Sequence, residues 1–274
     1  MDLRVKTSNL QNVFSQCKAE GRACFVAYVC AGDPNFNSSL EVCKTLIKSG
    51  IDVLELGVPF SDPLADGLTN QLAAQRSLDS GMSGEKVFKL VQEIRKFSQI
   101  PIVFYTYYNL VFSTGIEIYS KLAKQAGVDA LLTLDLPPEE ASDYLLACKE
   151  VSMETVFIVA PTTPEKRIKK ICDSTSGFIY YVSREGVTGE QATLSKGIFE
   201  RVQLIKRHTC LPVVVGFGVS NSSHVRNISS VADGVVIGSS IVKCIAENPK
   251  EITKIKSKIV NKINSLLEGK ALWG

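Results

Sequence analysis

Histidine is nearly absent from this chain of 274 residues: His208 and His224 are the only two, and neither has a second candidate ligand at metal spacing. A histidine-based triad and a histidine metal centre are therefore not expected, and no metal is assigned. The eight cysteines stand at 17, 24, 30, 43, 148, 172, 210 and 244, with no C-x-x-C pair among them. Most fall in apolar patterns where a thiol packs as a small hydrophobe, so they read as reduced cytosolic thiols. No stretch reaches the ~18 apolar residues of a membrane span, and Met1 to Asn9 mixes charges without the apolar run of a signal peptide. A cytoplasmic location and no membrane partner are the expectations. Net charge is only +3 and evenly spread, too little for a nucleic-acid footprint. Linkers, low-complexity runs and shifts of composition are also missing, so residues 1–274 read as a single domain.

What is there is a repeated unit of a short β-branched strand, a Gly-containing or Pro-containing turn and an amphipathic helix. Strands are expected at 23–29, 53–57, 102–105, 130–134, 155–159, 178–182, 213–215 and 234–237, with helical patterns between them. Asn9 to Cys17 looks like a short amphipathic opening helix that could cover the bottom of a barrel. Pro137-Pro138-Glu139-Glu140 reads as the proline-led first turn of the helix after the fourth strand. Eight such units, with strands buried on both faces, argue for a closed parallel (β/α)8 TIM barrel over an open doubly wound sheet. After Pro249, Ile252, Ile255, Ile259, Ile263 and Leu266 draw one apolar stripe, while Lys254, Lys256, Lys258 and Lys262 point elsewhere. That pattern fits a final helix packed on the barrel with a solvated lysine face, better than a membrane-surface or acidic-partner helix.

The chain is organised around residues 52–71. Strand alternation places Val53, Glu55 and Gly57 on one face, and Leu54 and Leu56 on the other. Glu55 is thus an acid among apolar neighbours, which needs a partner, a raised pKa or a ligand beside it. Eleven residues on, Asp66 sits in a loop shaped by Pro59, Pro63 and Gly67. A carboxylate at a rigid strand end and another on a shaped loop can serve general acid and base chemistry. Taken alone, the stretch fits equally a buried Glu paired with a cation and an Asp holding a turn.

In a barrel, functional residues gather at the carboxyl ends of the strands. Glu55, Asp66, Tyr107, Asn109, Asp135, Tyr180, Arg184 and Thr188 all fall there. Glycines cluster at the last three strand ends: Gly186 and Gly189, Gly216 and Gly218, then Gly238 followed by Ser239. Glycine lets backbone N–H groups approach a phosphate, and a short helix after the eighth strand would point its positive end at the anion. Gly189, Gly218, Gly238 and Ser239 are the candidate phosphate ligands. The alternative is that strand-to-helix loops commonly need glycine.

Leu54 to Gly67, Leu-Glu-Leu-Gly-Val-Pro-Phe-Ser-Asp-Pro-Leu-Ala-Asp-Gly, resembles without a break the signature of the tryptophan synthase alpha subunit family. Further motifs follow in the family's order. They are Ala31-Gly32-Asp33-Pro34, Tyr107 with Asn109-Leu110-Val111, Asp135-Leu136-Pro137-Pro138, Pro161-Thr162-Thr163-Pro164, Gly186-Val187-Thr188-Gly189, Gly216-Phe217-Gly218 and Val236-Ile237-Gly238-Ser239. The resemblance implies a TIM barrel that splits indole-3-glycerol phosphate into indole and glyceraldehyde 3-phosphate. It further implies Glu55 and Asp66 as the catalytic pair, and Tyr107, Tyr180, Thr188 and Phe217 around the substrate. No cofactor is implied in this chain. A beta subunit carrying pyridoxal phosphate is the implied partner, faced by Asp62 and Asn109.

The chain also departs from the family's pattern. Leu68 stands where a proline is usual, Asn70 where an apolar residue is usual, and Glu185 where a small or neutral residue is usual. Cys30 replaces a usual Thr, and Leu134 a usual small residue or Pro. Without a proline just beyond Asp66, holding that carboxylate in place costs more entropy. Two functions therefore stay open: an active lyase, and an impaired alpha subunit acting mainly as an allosteric activator of the beta subunit.

Overall fold

A computed structural model of the chain describes residues 9–183, 191–216, 219 and 221–267. The elements in order are α1 (Asn9–Ala19), β1 (Cys24–Cys30), α2 (Phe36–Lys48), β2 (Val53–Gly57), α3 (Leu68–Asp79), α4 (Gly84–Arg95) and β3 (Ile102–Thr106). Then come α5 (Tyr108–Thr114), α6 (Ile116–Ala126), β4 (Ala130–Thr133), a single 3-10 turn (Pro138–Glu140), α7 (Ser142–Glu150), β5 (Glu154–Val159) and α8 (Glu165–Ser174). The chain continues through β6 (Ile179–Val182), α9 (Gln191–Lys206), β7 (Val213–Gly216), α10 (Ser222–Ser229), β8 (Gly234–Ile237), α11 (Ser239–Ala246) and α12 (Ile252–Leu267).

The strands pair in parallel in chain order, and β8 returns to β1 through Cys24↔Gly234 and Val26↔Val236, which closes the barrel. Valine, isoleucine and leucine dominate because each strand is covered on both sides. One set of side chains fills the barrel: Cys24, Val26, Tyr28, Val53, Val103, Ala130, Leu132, Val156, Phe178, Tyr180, Val214 and Val236. The alternate set, with Phe25, Leu54, Leu56, Phe104, Leu131, Val215 and Val235, packs outward against the helices.

The bottom of the barrel is stitched by a repeated polar device. Asp52, just before β2, accepts the Phe25 N–H of β1 at 2.8 Å. Asp129, just before β4, does the same for Ile102 of β3 at 2.8 Å, and Asp233, before β8, for Val213 of β7 at 2.8 Å. Each carboxylate also meets a cation, Arg22, Arg95 and Lys206 respectively. Charged acceptors for otherwise orphaned strand N–H groups contribute more than neutral ones. Helix α1 closes the same end, burying Leu10, Phe14 and Cys17, with the Phe14 ring 5.6 Å from that of Phe178.

Two local expectations are corrected. Tyr108–Thr114 is helical, so Asn109 lies in the first turn of a short helix instead of at the end of the third strand. Pro138–Glu140 is a separate 3-10 turn, and α7 begins only at Ser142. In α12, Ile255, Ile259, Ile263 and Leu266 are buried, while Lys254, Lys256 and Lys258 reach Glu251, Glu41 and Glu247. The last helix is packed on the barrel with its lysines outside.

Candidate functional site

Glu55 occupies the position that alternation assigned, on the inner face of β2, in register with Tyr28 of β1 and Val103 of β3. It is 1% exposed, and neither carboxyl oxygen has a hydrogen-bond partner among the described residues. Burial, with a smaller contribution from the charge of Asp66, pushes its pKa up to about 8. A buried carboxyl with no partner is unfavourable when ionised, so near neutral pH Glu55 keeps its proton. This is the state of an acid ready to give a proton away.

Asp66 is arranged in the opposite way. The loop from Phe60 to Gly67 carries it to the mouth, where the Tyr105 phenol donates to Oδ1 at 2.9 Å and the Tyr107 phenol to Oδ2 at 2.8 Å. The Asn70 amide adds a longer contact to Oδ1, 3.3 Å, and the Gln71 amide donates to the Asp66 carbonyl at 2.9 Å. Tyr107 also accepts the Ala65 N–H at 3.1 Å and stacks at 5.1 Å from Phe60, so it ties the loop down twice. Three donors converge on one acid and none on the other. That asymmetry separates their roles: Asp66 accepts hydrogen bonds and neutral Glu55 has a proton to donate.

Aromatic rings frame the space between the acids. The Tyr28 ring meets that of Tyr105 edge-on at 5.0 Å. Burial raises the pKa of the Tyr28, Tyr105 and Tyr180 phenols well above the usual value, so they keep their protons. Glycine makes room for two of these rings. A Cβ on Gly57 would lie 2.5 Å from the Tyr28 hydroxyl, and one on Gly216 would lie 2.5 Å from the Tyr180 ring.

The first strand-end loop is braced from behind. Asp33, 1% exposed, takes the Arg76 guanidinium of α3 in a two-pronged contact, 2.8 Å at each oxygen. Gly32, at φ +82°, sits against Met82 and Ser77, and the Ser77 hydroxyl donates to the Ala31 carbonyl at 2.6 Å. The helix that follows Asp66 is therefore locked to the β1 loop.

Gly238 caps α11 without a side-chain partner, and Ser239 opens that helix, exposed at the barrel mouth. The first N–H groups of α11 therefore have no side-chain cap, which suits an anion. Asp62 and Asn109 are exposed, the Asp62 carboxylate accepting from the neighbouring Ser61 hydroxyl at 2.7 Å. Asp135 accepts the Tyr108 N–H at 2.6 Å, fixing the start of α5. Thr188, Gly189, Phe217 and Gly218, with Arg184 and Glu185, lie outside the described residues.

Sequence reasoning brought Glu55, Asp66, Tyr107 and Tyr180 to one mouth and missed two partners. Tyr105 closes the strand expected at 102–105 and shares parity with Val103 and Tyr107, the signal in the sequence that turns it toward the mouth. Asn70, a departure from the family's pattern, is also a donor to Asp66, a role the sequence does not show.

A closed parallel barrel with a neutral buried acid and a hydrogen-bonded acid at its carboxyl-end mouth defines a (β/α)8 protein built for proton-transfer chemistry. The particular family is set by comparison: residues 14–270 match the family described as tryptophan synthase alpha chain, and the chain belongs to it. A tryptophan synthase alpha chain of Opitutus terrae is 58% identical over 262 residues, covering 96% of this chain and 98% of the relative. That of Methanothermobacter thermautotrophicus is 46% identical over 232 residues, 84% of this chain and 86% of the relative. Among solved structures, a chain of the tryptophan synthase a2b2 complex of Pyrococcus furiosus superposes with a TM-score of 0.84 at 38% identity, covering 90% of this chain and 98% of that one. Tryptophan synthase of M. tuberculosis gives 0.86 at 30% identity, covering 96% and 99%.

Proposed function

We propose that this chain cleaves indole-3-glycerol phosphate to indole and glyceraldehyde 3-phosphate by a retro-aldol step, as the alpha subunit of a tryptophan synthase complex. The observation that carries this reading is the buried, unpartnered Glu55 carboxyl, held neutral up to about pH 8, opposite an Asp66 whose two oxygens both accept phenols. Cleavage requires three things of the protein. Indole C3 must gain a proton, the side-chain hydroxyl must lose one, and the ring nitrogen must carry positive charge in between.

Neutral Glu55 donates its proton to C3. That protonation makes the ring nitrogen positively charged, its N–H hydrogen-bonding to Asp66, and the electrons of the breaking carbon–carbon bond then flow into the ring and discharge it. The Glu55 carboxylate takes the proton of the hydroxyl as that carbon becomes the aldehyde. Protons balance: Glu55 ends as it began. A dry site strengthens both interactions. The chemistry needs no cofactor in this chain.

Tyr107 and Tyr180 border the indole, together with Thr188 and Phe217. The phosphate sits at the uncapped start of α11, on Gly238 and Ser239, completed by Gly189 and Gly218. The beta subunit, which would hold pyridoxal phosphate, docks on the rim formed by Asp62 and Asn109. The exposed Leu64 and Leu68, 92% and 70% accessible, would be covered there.

The test is indole release from indole-3-glycerol phosphate by the purified chain, with and without its beta subunit, alongside the beta reaction of indole with serine. Release that Glu55→Gln abolishes upholds the lyase. No release in either case, with the beta reaction still accelerated, would make the chain an activator only.

A further inference from the structure

The loop that carries Asp66 is poorly anchored by apolar burial: Leu64 is 92% and Leu68 70% exposed. Nor does a proline follow Asp66-Gly67 to restrict the backbone. Its anchor is the Asp66 carboxylate itself, and one of the two short contacts to that carboxylate comes from Tyr105. Tyr105 is well placed to serve as a fixed post. It stands on β3 in register with Gly57, one pleat above Val103, which is opposite Glu55. Its ring is braced edge-on by the buried Tyr28 at 5.0 Å, and Tyr28 in turn fits because Gly57 has no side chain. The phenol thus stands on a braced ring above the Glu55 level, with its proton given to Asp66 and not to Glu55.

We propose that Tyr105 is a positioning residue for the lyase reaction: it holds Asp66 Oδ1 against β3, so that the carboxylate meets the indole N–H in one orientation. Tyr107 anchors the other oxygen and the loop backbone, so the two phenols fix the carboxylate plane between them. Asn70, the longer contact, steadies the same oxygen as Tyr105. Together they supply the restraint that Leu68 does not. This inference rests on the proposed cleavage for its kinetic consequence, and on geometry alone for its effect on the loop.

Tyr105→Phe keeps the ring and its contact with Tyr28 and removes only the hydroxyl. In the wild-type background kcat for indole release should fall about 10-fold, the scale of one lost charge-assisted hydrogen bond, with KM moving less than about 3-fold. Hydrogen exchange at the Ala65 and Asp66 amides, bonded to Tyr107 and Pro63, should accelerate by a similar factor. In an Asp66→Ala background, which removes both acceptor oxygens, adding Tyr105→Phe should change exchange at positions 65 and 66 less than about 2-fold. Unchanged exchange in Tyr105→Phe, or an equal acceleration in both backgrounds, would overturn the proposal. So would an unchanged kcat in an active wild type. A wild type that releases no indole would defeat the cleavage reading instead, and the exchange cycle would still decide the role of Tyr105. Far-ultraviolet dichroism and the thermal midpoint establish that each variant is folded.

Discussion

Replacing Glu55 by glutamine should abolish cleavage and at the same time make the protein more stable at alkaline pH. The reason lies in the burial of a carboxyl without partners. Its pKa is raised from the ordinary 4.5 to about 8. Between those values the folded chain holds a proton that the unfolded chain has released, so stability falls as pH rises through this window and levels off above it. With about 1.4 kcal/mol per pH unit, the penalty from Glu55 is about 1 kcal/mol at pH 5, about 3 at pH 7 and close to 5 at pH 9. Glutamine has the same shape and cannot ionise. The difference in unfolding free energy between Glu55→Gln and wild type should therefore shift by about 4 kcal/mol in favour of the variant from pH 5 to pH 9. The constant cost of exchanging a carboxyl for an amide cancels from that difference. Urea unfolding at the two pH values measures it. A difference that stays level with pH would refute the picture of an unpartnered buried acid.

Other sites give independent tests. Arg76→Met strips Asp33 of its two-pronged partner, and because Arg76 is itself partly exposed the loss should be about 2–3 kcal/mol in urea unfolding at pH 7. Gly57→Ala drives a methyl to within 2.5 Å of the Tyr28 hydroxyl, so it should cost about 1–3 kcal/mol and depress indole release by unseating the brace behind Tyr105. Asp129→Ala removes the acceptor of the Ile102 N–H and leaves Arg95 with backbone carbonyls but no carboxylate at the barrel bottom, an expected loss of about 2–4 kcal/mol with KM unchanged. In α12, Ile259→Ala should cost about 2–4 kcal/mol, whereas Lys258→Ala should stay within about 0.5 kcal/mol. Equal costs for those two would contradict a helix that packs through its apolar stripe.

The barrel was legible because its strands are short, β-branched and double-buried, and because the helical stripes between them repeat. Alternation alone was enough to turn Glu55 inward, since Val53 and Gly57 share its parity. The short helix at Tyr108–Thr114 was not legible: seven residues rich in aromatic and β-branched side chains look like the continuation of a strand. Pro137-Pro138 announced a helix start correctly but one turn early, because the turn at Pro138–Glu140 ends before Ser142. At the site, the acids were visible and their asymmetry was not. That Asp66 takes two phenols depends on the fold of the loop over β3, and that Glu55 takes none depends on every neighbour at once. The departure at Asn70 is visible in the sequence only as a difference from the pattern, and in space it supplies a donor to Asp66.

The most direct measurement is the pH dependence of kcat/KM for indole release from pH 6 to 9.5, wild type beside Glu55→Gln. If Glu55 is the proton donor, the wild-type value holds below about pH 8 and falls about tenfold per unit above it, while the variant is inactive throughout. A wild-type rate that stays level to pH 9.5, or release that survives in Glu55→Gln, would contradict the assignment of Glu55 as the acid that drives cleavage.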